Sequence, residues 1–184
     1  LGVILLDVDR KIEALSAIQR AIEIAPQDAG THNNLGNILK GMLRFEDAEI
    51  SFKQSIKLNP KSALSHNNLG IMLKETARLD EAKTSFEQAI RLNPEFAVAY
   101  NNLGLTLMDL HSYEDAQASY TQAIKLNPKL AEAYNNLGLL FVSRGMATKH
   151  LECFLKAISI NPDNIVYRWN FANLQLLKIY STYE

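Results

Sequence analysis

Several features that would point to a particular class of protein are scarce in this sequence. The single cysteine, Cys153, excludes an intrachain disulfide and is typical of a reducing compartment. No apolar run approaches the roughly 18 residues that a membrane-spanning helix needs. The 19 basic and 20 acidic residues nearly cancel, so bulk charge attracts neither nucleic acid nor an anionic membrane. We therefore expect a soluble, cytoplasmic protein with no nucleic-acid partner and no membrane insertion.

Prolines and glycines are also few, but their spacing is regular. The five prolines lie 34 residues apart, at 26, 60, 94, 128 and 162, and five of the eight glycines keep the same period. A fixed period of this size is the mark of a repeat solenoid. When the proline is numbered position 32, the full repeats are 29–62, 63–96, 97–130 and 131–164. Residues 1–28 form a truncated repeat and 165–184 a partial repeat with a terminal helix, so we expect one array over 1–184.

Within each repeat the apolar residues have the spacing of two helices. Positions 4, 7, 8 and 11 share one helical face, and positions 17, 20, 24, 27 and 28 share another. A break is expected near positions 14 to 17, and the proline ends the second helix. Helices of about 14 residues are marginal alone, so neighbouring repeats must stabilise them. The pattern predicts an all-α fold.

Small residues recur where two helices should meet. Position 8 is glycine in every full repeat, and position 20 is alanine in most of them. A glycine inside a helix costs about 1 kcal/mol relative to alanine, so its recurrence predicts two backbones that cross closely. Large residues at positions 7, 11 and 24, such as Leu103, Leu107 and Tyr120, should fill the space that the small ones leave. Position 20 of the fourth full repeat is His150, whose imidazole should overpack the helix pair. We predict that His150→Ala raises the melting temperature or leaves it unchanged.

The sequence motifs of common catalytic and phosphate-binding sites are missing. There is no glycine-rich phosphate loop, no GxSxG turn and no HExxH helix. His32 and His66 lie one repeat apart, but they occupy the position that Tyr100 and Tyr134 fill in the next repeats. Packing explains them, because a zinc site needs three or four ligands. We predict that this chain is not itself an enzyme and holds no metal and no cofactor.

The repeat resembles the tetratricopeptide repeat along the whole chain. The residues that carry the resemblance are clearest in the third full repeat: Tyr100, Leu103, Gly104, Ala116, Tyr120 and Pro128. The resemblance implies stacked antiparallel helix pairs in a right-handed superhelical solenoid, with the first helices lining a concave groove. It also implies a scaffold that binds peptides or proteins.

Asparagine occupies positions 5 and 6 of all four full repeats, and Asn170 occupies position 6 of the last. At 100° per residue, positions 5, 6 and 9 should lie opposite the core face. Helix propensity does not favour asparagine there. The resemblance places these positions in the groove, so it implies a peptide-binding surface formed by Asn33, Asn34, Asn37, Asn67, Asn68, Ile71, Asn101, Asn102, Leu105, Asn135, Asn136, Leu139, Asn170 and Asn173.

The row at position 6 is similar to the asparagine ladder of O-linked N-acetylglucosamine transferases. A carboxamide has an acceptor and two donors, which match the C=O and N–H of a peptide. We expect this row to face solvent, with apolar contacts beside it from Leu64, Ile71, Val98, Leu105 and Leu139. Replacing Asn68, Asn102 and Asn136 together by alanine should keep helicity and weaken partner binding about tenfold. Recent duplication of the repeat, or bonds between neighbouring repeats, would also account for the row.

Two classes of function remain open. The first is a scaffold that binds an extended protein segment in the groove through the asparagine ladder. The second is the substrate-recognition arm of a larger, glycosyltransferase-like enzyme whose catalytic domain lies outside these residues.

The two ends of the sequence are apolar and interrupt a repeat. The chain starts at position 7 without an initiator methionine and stops at position 20, so we expect it to be cut from a longer protein. Leu1, Ile4 and Leu5 at one end, and Leu174 and Leu177 at the other, would leave apolar area in water. Head-to-tail self-association would cover that area.

Overall fold

A computed structural model describes residues 2–146 and 149–181, with side chains over 10–146 and 149–173. Every regular element in these ranges is an α-helix. The chain divides into two compact units, Leu1–Pro94 and Glu95–Glu184. This division lies next to the boundary between the predicted repeats 63–96 and 97–130.

Unit 1 contains two complete helix pairs and one additional helix at its start. Its helices are α1 (Gly2–Ile24), α2 (Ala29–Gly41), α3 (Phe45–Leu58), α4 (Ala63–Glu75) and α5 (Leu79–Leu92). The pairs α2–α3 and α4–α5 pack tightly within each repeat, while α1 packs on α2 and α3 packs on α4. The first helices α2 and α4 also contact each other. The two helices per repeat and their lengths agree with the apolar periodicity.

Unit 2 has the same plan, with the additional helix at its end. Its helices are α6 (Ala97–Asp109), α7 (Tyr113–Leu126), α8 (Ala131–Ser143), α9 (Lys149–Ile160) and α10 (Ile165–Ser181). The pairs are α6–α7 and α8–α9; α7 packs on α8, α9 packs on α10, and the first helices α6 and α8 touch. Tyr167 of α10 is buried together with Ala131 and Ala157.

The turn inside each full repeat contains one residue in the left-handed backbone region. In the second full repeat, Arg78 N–H donates to the Leu73 carbonyl over 2.9 Å and Ala77 N–H to that of Lys74 over 3.0 Å. This is the Schellman end of a helix, whose left-handed residue is usually glycine. Only the fourth full repeat has glycine at this position 15; the four residues are Leu43, Ala77, His111 and Gly145, with φ of 61°, 59°, 59° and 67°.

The recurring glycine at position 8 accommodates an aromatic ring. A Cβ placed on Gly104 would lie 2.6 Å from the ring of Tyr120, and one on Gly70 would lie 2.8 Å from that of Phe86. The aromatic residue is position 24 of the same repeat, and all four such rings are fully buried. The prediction that the large residue at position 24 fills the space beside the small ones is therefore confirmed for this glycine.

His150 is inside the fold, where the other repeats have alanine. Its side chain is 7% exposed. Its Nδ1 atom lies 3.1 Å from the Met146 carbonyl oxygen, and its ring is tilted against Phe154 at 6.2 Å between centroids. The helix pair therefore contains the ring with a specific contact, and the expected effect of His150→Ala on the melting temperature stays a prediction. His150→Ala would remove a hydrogen bond as well as volume.

The first 24 residues differ from the predicted truncated repeat. The expected break at residues 8–11 is absent, and α1 continues from Gly2 to Ile24. The lack of glycine at Val8 to Lys11 does not account for the difference, because Leu43, Ala77 and His111 make the same turn without glycine.

Candidate functional site

The asparagines at position 5 are buried. Asn33, Asn67, Asn101 and Asn135 are between 2% and 6% exposed. The expectation that position 5 lies opposite the core is wrong, because each first helix is covered on two sides. One side packs on its own second helix, and another side approaches the neighbouring first helix, as α2 does with α4 and α6 with α8.

The asparagines at position 6 form bonds between neighbouring repeats. Asn68 Nδ2 donates to Asn33 Oδ1 over 3.0 Å in unit 1. In unit 2, Asn136 Nδ2 donates to Asn101 Oδ1 over 3.0 Å. Asn170 Nδ2 donates to Asn135 Oδ1 over 2.8 Å and so joins α10 to α8. Each bond runs from position 6 of one repeat to position 5 of the repeat before it, and we call these bonds the carboxamide bridges.

The position-6 side chains differ in how accessible they are. Asn34 is exposed, while Asn68, Asn102 and Asn136 are half-buried. Asn170 is 8% exposed, so the expected solvent exposure is wrong for that residue because its bridge to Asn135 is itself buried. A bridging carboxamide uses one of its two Nδ2 protons, and Asn68 Oδ1 also accepts from Asn67 Nδ2 over 3.4 Å.

Apolar side chains on the first helices are exposed beside these asparagines. At position 2, Leu64 and Val166 are 53% exposed and Val98 is 40% exposed. At position 9, Leu139 is exposed, whereas Ile71 and Leu105 are half-buried. The polar residues at position 9 are Asn37, which is exposed, and Asn173, which is half-buried. We call the exposed part of positions 2, 6 and 9 the first-helix face of each unit.

The ends of the first helices have different charges in the two units. Positions 12 and 13 of unit 1 contain Lys40 and Glu75, whose Nζ and Oε1 atoms are 2.9 Å apart, and Lys74. The same positions of α6 and α8 in unit 2 are Met108, Asp109, Val142 and Ser143. On the first-helix face of unit 2, Glu132 is an exposed carboxylate at position 2, beside the apolar and carboxamide groups.

A charge cluster in unit 1 joins two repeats away from the asparagines. The Arg78 guanidinium donates to Glu49 over 2.5 Å and to Glu81 over 2.6 Å, and Lys53 Nζ lies 2.7 Å from Glu49. Hydrogen bonds from Arg78 hold the pKa of both carboxyls below the ordinary value for glutamate and raise the pKa of Arg78 itself. The cluster ties α5 to α3 and needs no ligand.

The cysteine and the histidines considered above for catalysis or metal binding lie in surroundings that do not favour either role. Burial, with Glu152 nearby, raises the pKa of the Cys153 thiol to about 11, so little of it is the nucleophilic thiolate. Burial lowers the pKa of His66. His32 Nε2 lies 2.9 Å from the Pro26 carbonyl oxygen. Within 10–146 and 149–173, no three His, Cys, Asp or Glu side chains come together as metal ligands.

One open cleft lies beside α1 in unit 1. It has a volume of about 650 Å³ and is lined by residues of α1, α2 and α3, among them Ile22, Glu23, Leu35 and Ile50. Its lining also includes the polar residues Gln19, His32 and Gln54. In the part of the chain that the structure describes, no helix has both the length and the apolar character of a membrane span.

Family models match most of the repeats that the proline spacing defines. A model described as "Tetratricopeptide repeat" matches residues 29–62 and 131–164, and a second one with this description matches 51–84. A model described as "TPR repeat" matches 72–111 and 106–145. The chain belongs to the tetratricopeptide repeat family. Two of these matches have the same bounds as the predicted repeats, and no curated protein matches the chain.

Solved structures of other proteins, two of them described as TPR proteins, share the fold over most of their length. One of them is YrrB, "a TPR protein with an unusual peptide-binding site". Its identity to this chain is 25% and the TM-score is 0.70, and the match covers 90% of this chain and 85% of YrrB. TTC0263 from Thermus thermophilus has 24% identity and a TM-score of 0.77 over 96% of both chains. PilF from Pseudomonas aeruginosa has 20% identity and a TM-score of 0.79, and the match covers 98% of this chain and 89% of PilF. The all-helical solenoid fold class is therefore confirmed.

Proposed function

We propose that this tetratricopeptide repeat chain is a non-catalytic scaffold that binds an extended peptide or protein segment on its first-helix face. The exposed apolar side chains at positions 2 and 9 carry the proposal, because they lie beside half-buried carboxamides, whose donors and acceptors are of the kind that a peptide main chain bonds to. YrrB, whose printed description names a peptide-binding site, supports this class of function by similarity.

The two kinds of group would contribute differently to binding. Apolar residues such as Leu64 and Leu139 would contribute about 25 cal/mol per Å² that a ligand covers. Asn68, Asn102 and Asn136 would each add a hydrogen bond to the ligand main chain, for a net contribution of about 0.5–1.5 kcal/mol. Because main-chain recognition is tolerant of sequence, we expect the apolar positions to determine which peptides bind.

The alternative function, as the recognition arm of a larger glycosyltransferase-like enzyme, requires the same binding surface. It differs in the catalytic domain that would accompany the repeats, and it stays a prediction.

The experiment is a selection of binders from a displayed library of random peptides, followed by titration of the recovered peptides. Leu64→Ser in unit 1 and Leu139→Ser in unit 2 should each weaken binding several-fold when their unit holds the peptide, because each removes apolar contact. The matched controls are Ile50→Ser and Leu155→Ser. These residues are also exposed leucine or isoleucine side chains of the same two units, but they lie on second helices.

Two results would contradict the proposal. One is the recovery of no peptide above background by the folded chain. The other is a set of peptides whose binding is reduced by Ile50→Ser or Leu155→Ser but not by the first-helix variants, since the partner would then bind the opposite helices.

A further inference from the structure

Three helices of unit 2 present position 2 of the repeat on the first-helix face. The residues are Val98 on α6, Glu132 on α8 and Val166 on α10, and all three are exposed. Two carboxamide bridges set the register of these helices, because α8 is bonded to α6 and α10 to α8 through position 6 of one helix and position 5 of the other. The three position-2 side chains therefore lie in a row, about one helical turn before the bridges.

Glu132 is the one charged residue at position 2 of the repeat. The other residues at this position are Gly30, Leu64, Val98 and Val166. Among the ion pairs that the described residues form, none includes Glu132. A carboxylate with an exposed valine on either side is therefore accessible to a cation that another molecule supplies.

The spacing of this row matches the repeat of an extended peptide. Packed helices lie about 8–10 Å apart, so each valine is about this far from Glu132 along the row. Three residues of extended chain span about 10 Å, and three residues of a polyproline II helix span about 9 Å. A peptide that crosses the three helices would therefore bring every third side chain opposite one member of the row.

We propose that the first-helix face of unit 2 selects a segment with one basic residue and an apolar residue three positions before it and three positions after it. The basic side chain pairs with Glu132, and the apolar side chains cover Val98 and Val166. An apolar or acidic residue at the central position is disfavoured, because the carboxylate would lose water without gaining a partner. The inference rests on the proposed function, since it requires that a peptide occupies this face.

Unit 1 lacks the feature that selects a basic residue. Its position-2 residues are Gly30 and Leu64, and no carboxylate interrupts them. At the ends of its first helices, the Lys40 ammonium is paired with Glu75. A peptide that binds unit 1 should therefore show no requirement for a basic residue.

The test uses two pools of displayed peptides that differ only in a fixed central residue, which is lysine in one pool and glutamate in the other. The folded chain should enrich the lysine pool, with apolar residues three positions to either side of the lysine. Glu132→Gln should weaken binding of a recovered peptide about two- to fivefold, as expected for one exposed ion pair. Glu152→Gln, which removes an exposed carboxylate from α9 of the same unit, is the matched control and should bind like the unmodified chain.

Exchange of the two charges separates a direct contact from a general effect of charge. Glu132→Lys should bind the lysine-centred peptide more weakly than Glu132→Gln does, because two cations would meet. The same variant should bind the peptide with glutamate in place of the central lysine better than the unmodified chain binds it. Glu152→Lys changes the net charge by the same amount and should show neither effect.

A purely structural role of Glu132 would give a different result. Glu132 lies in the first turn of α8, where a carboxylate stabilises the helix. If Glu132→Gln lowers the midpoint of urea denaturation but leaves the preference for lysine unchanged, the inference is overturned.

The remaining outcomes distinguish this inference from the proposed function. Equal recovery from the two pools, with binding that Leu139→Ser weakens, would overturn the inference and leave the proposed function intact. A preference for lysine that Leu64→Ser removes and Leu139→Ser does not would also overturn it, because the peptide would then bind unit 1. Recovery of no peptide from either pool would contradict both.

Discussion

The carboxamide bridge between Asn136 and Asn101 gives a quantitative prediction about stability. Asn136→Ala removes the donor and leaves Asn101 Oδ1 without this partner in a site that is 2% exposed. An unpaired buried polar group costs about 1–3 kcal/mol. Alanine returns up to about 0.7 kcal/mol of helix propensity. The net expectation is a loss of about 0.5–2 kcal/mol in the free energy of unfolding.

Asn34 supplies a matched control for this measurement. It has the same position in its repeat but is exposed. Asn34→Ala should therefore raise the free energy of unfolding by the gain in helix propensity alone, which is up to about 0.7 kcal/mol. The difference between the two variants isolates the bridge at about 1–3 kcal/mol.

Equilibrium urea denaturation, monitored by circular dichroism, measures both variants directly. The midpoint of Asn136→Ala should fall and that of Asn34→Ala should stay or rise, with unchanged slopes. Equal midpoints for the two variants would refute the structural role of the bridge. By the same reasoning, the triple replacement of Asn68, Asn102 and Asn136 should lower stability, which revises the expectation from helix propensity alone.

Three further predictions concern backbone, packing and reactivity. Ala77→Gly and His111→Gly should each raise the free energy of unfolding by up to about 1 kcal/mol in the same urea assay, because glycine adopts the left-handed turn without strain. Gly104→Ala should lower it by about 1–3 kcal/mol, since the new Cβ would lie 2.6 Å from the ring of Tyr120, and Tyr120→Leu should recover part of that loss. Cys153, with a pKa raised to about 11, should react with iodoacetamide at neutral pH at least about a hundredfold more slowly than an unperturbed thiol.

Each of these has an outcome that would contradict it. Destabilisation by Ala77→Gly would mean that the alanine side chain makes a contact worth more than the backbone strain. A neutral Gly104→Ala would mean that the ring of Tyr120 moves freely. Rapid alkylation of Cys153 in the folded chain would mean that its thiol is more accessible than its burial indicates.

The helix pairs could be predicted from the sequence because they depend on local periodicity. The apolar spacing within one repeat is enough to define each helix, and proline cannot continue a helix from its interior. The large residue beside the glycine at position 8 could be predicted in the same way, because a recurring missing side chain shows that space is needed for a large neighbour. The distance of 2.6 Å from a Cβ placed on Gly104 to the ring of Tyr120 needed the structure.

The asparagine pair shows a second limit of single-sequence interpretation. A helical wheel considers one helix at a time, so it places position 5 opposite the core. Burial of Asn33 and Asn101 arises from the neighbouring first helix, which the wheel does not include. The 34-residue period did contain a usable signal, because two polar residues repeated side by side can pair across adjacent repeats. The site residues Asn37, Ile71, Leu105 and Leu139 remain predictions about binding.

The continuous helix α1 has a related explanation. Helix breaks inside a repeat depend on tertiary packing as well as on local propensity. Residues 8–11 align with the turn of the other repeats, yet they are helical, so the alignment of the repeats alone does not determine where a helix breaks.

The most direct test of the scaffold hypothesis is an NMR titration of the side-chain amide signals of asparagine with a peptide recovered from the library. The signals of Asn68, Asn102 and Asn136 should shift as the peptide binds the first-helix face. Those of Asn59 and Asn127, whose Oδ1 atoms accept from the Lys61 and Lys129 backbone N–H groups near the repeat boundaries, should stay in place. Shifts confined to Asn59 and Asn127, or bound peptide with no shift at the three first-helix asparagines, would contradict the hypothesis.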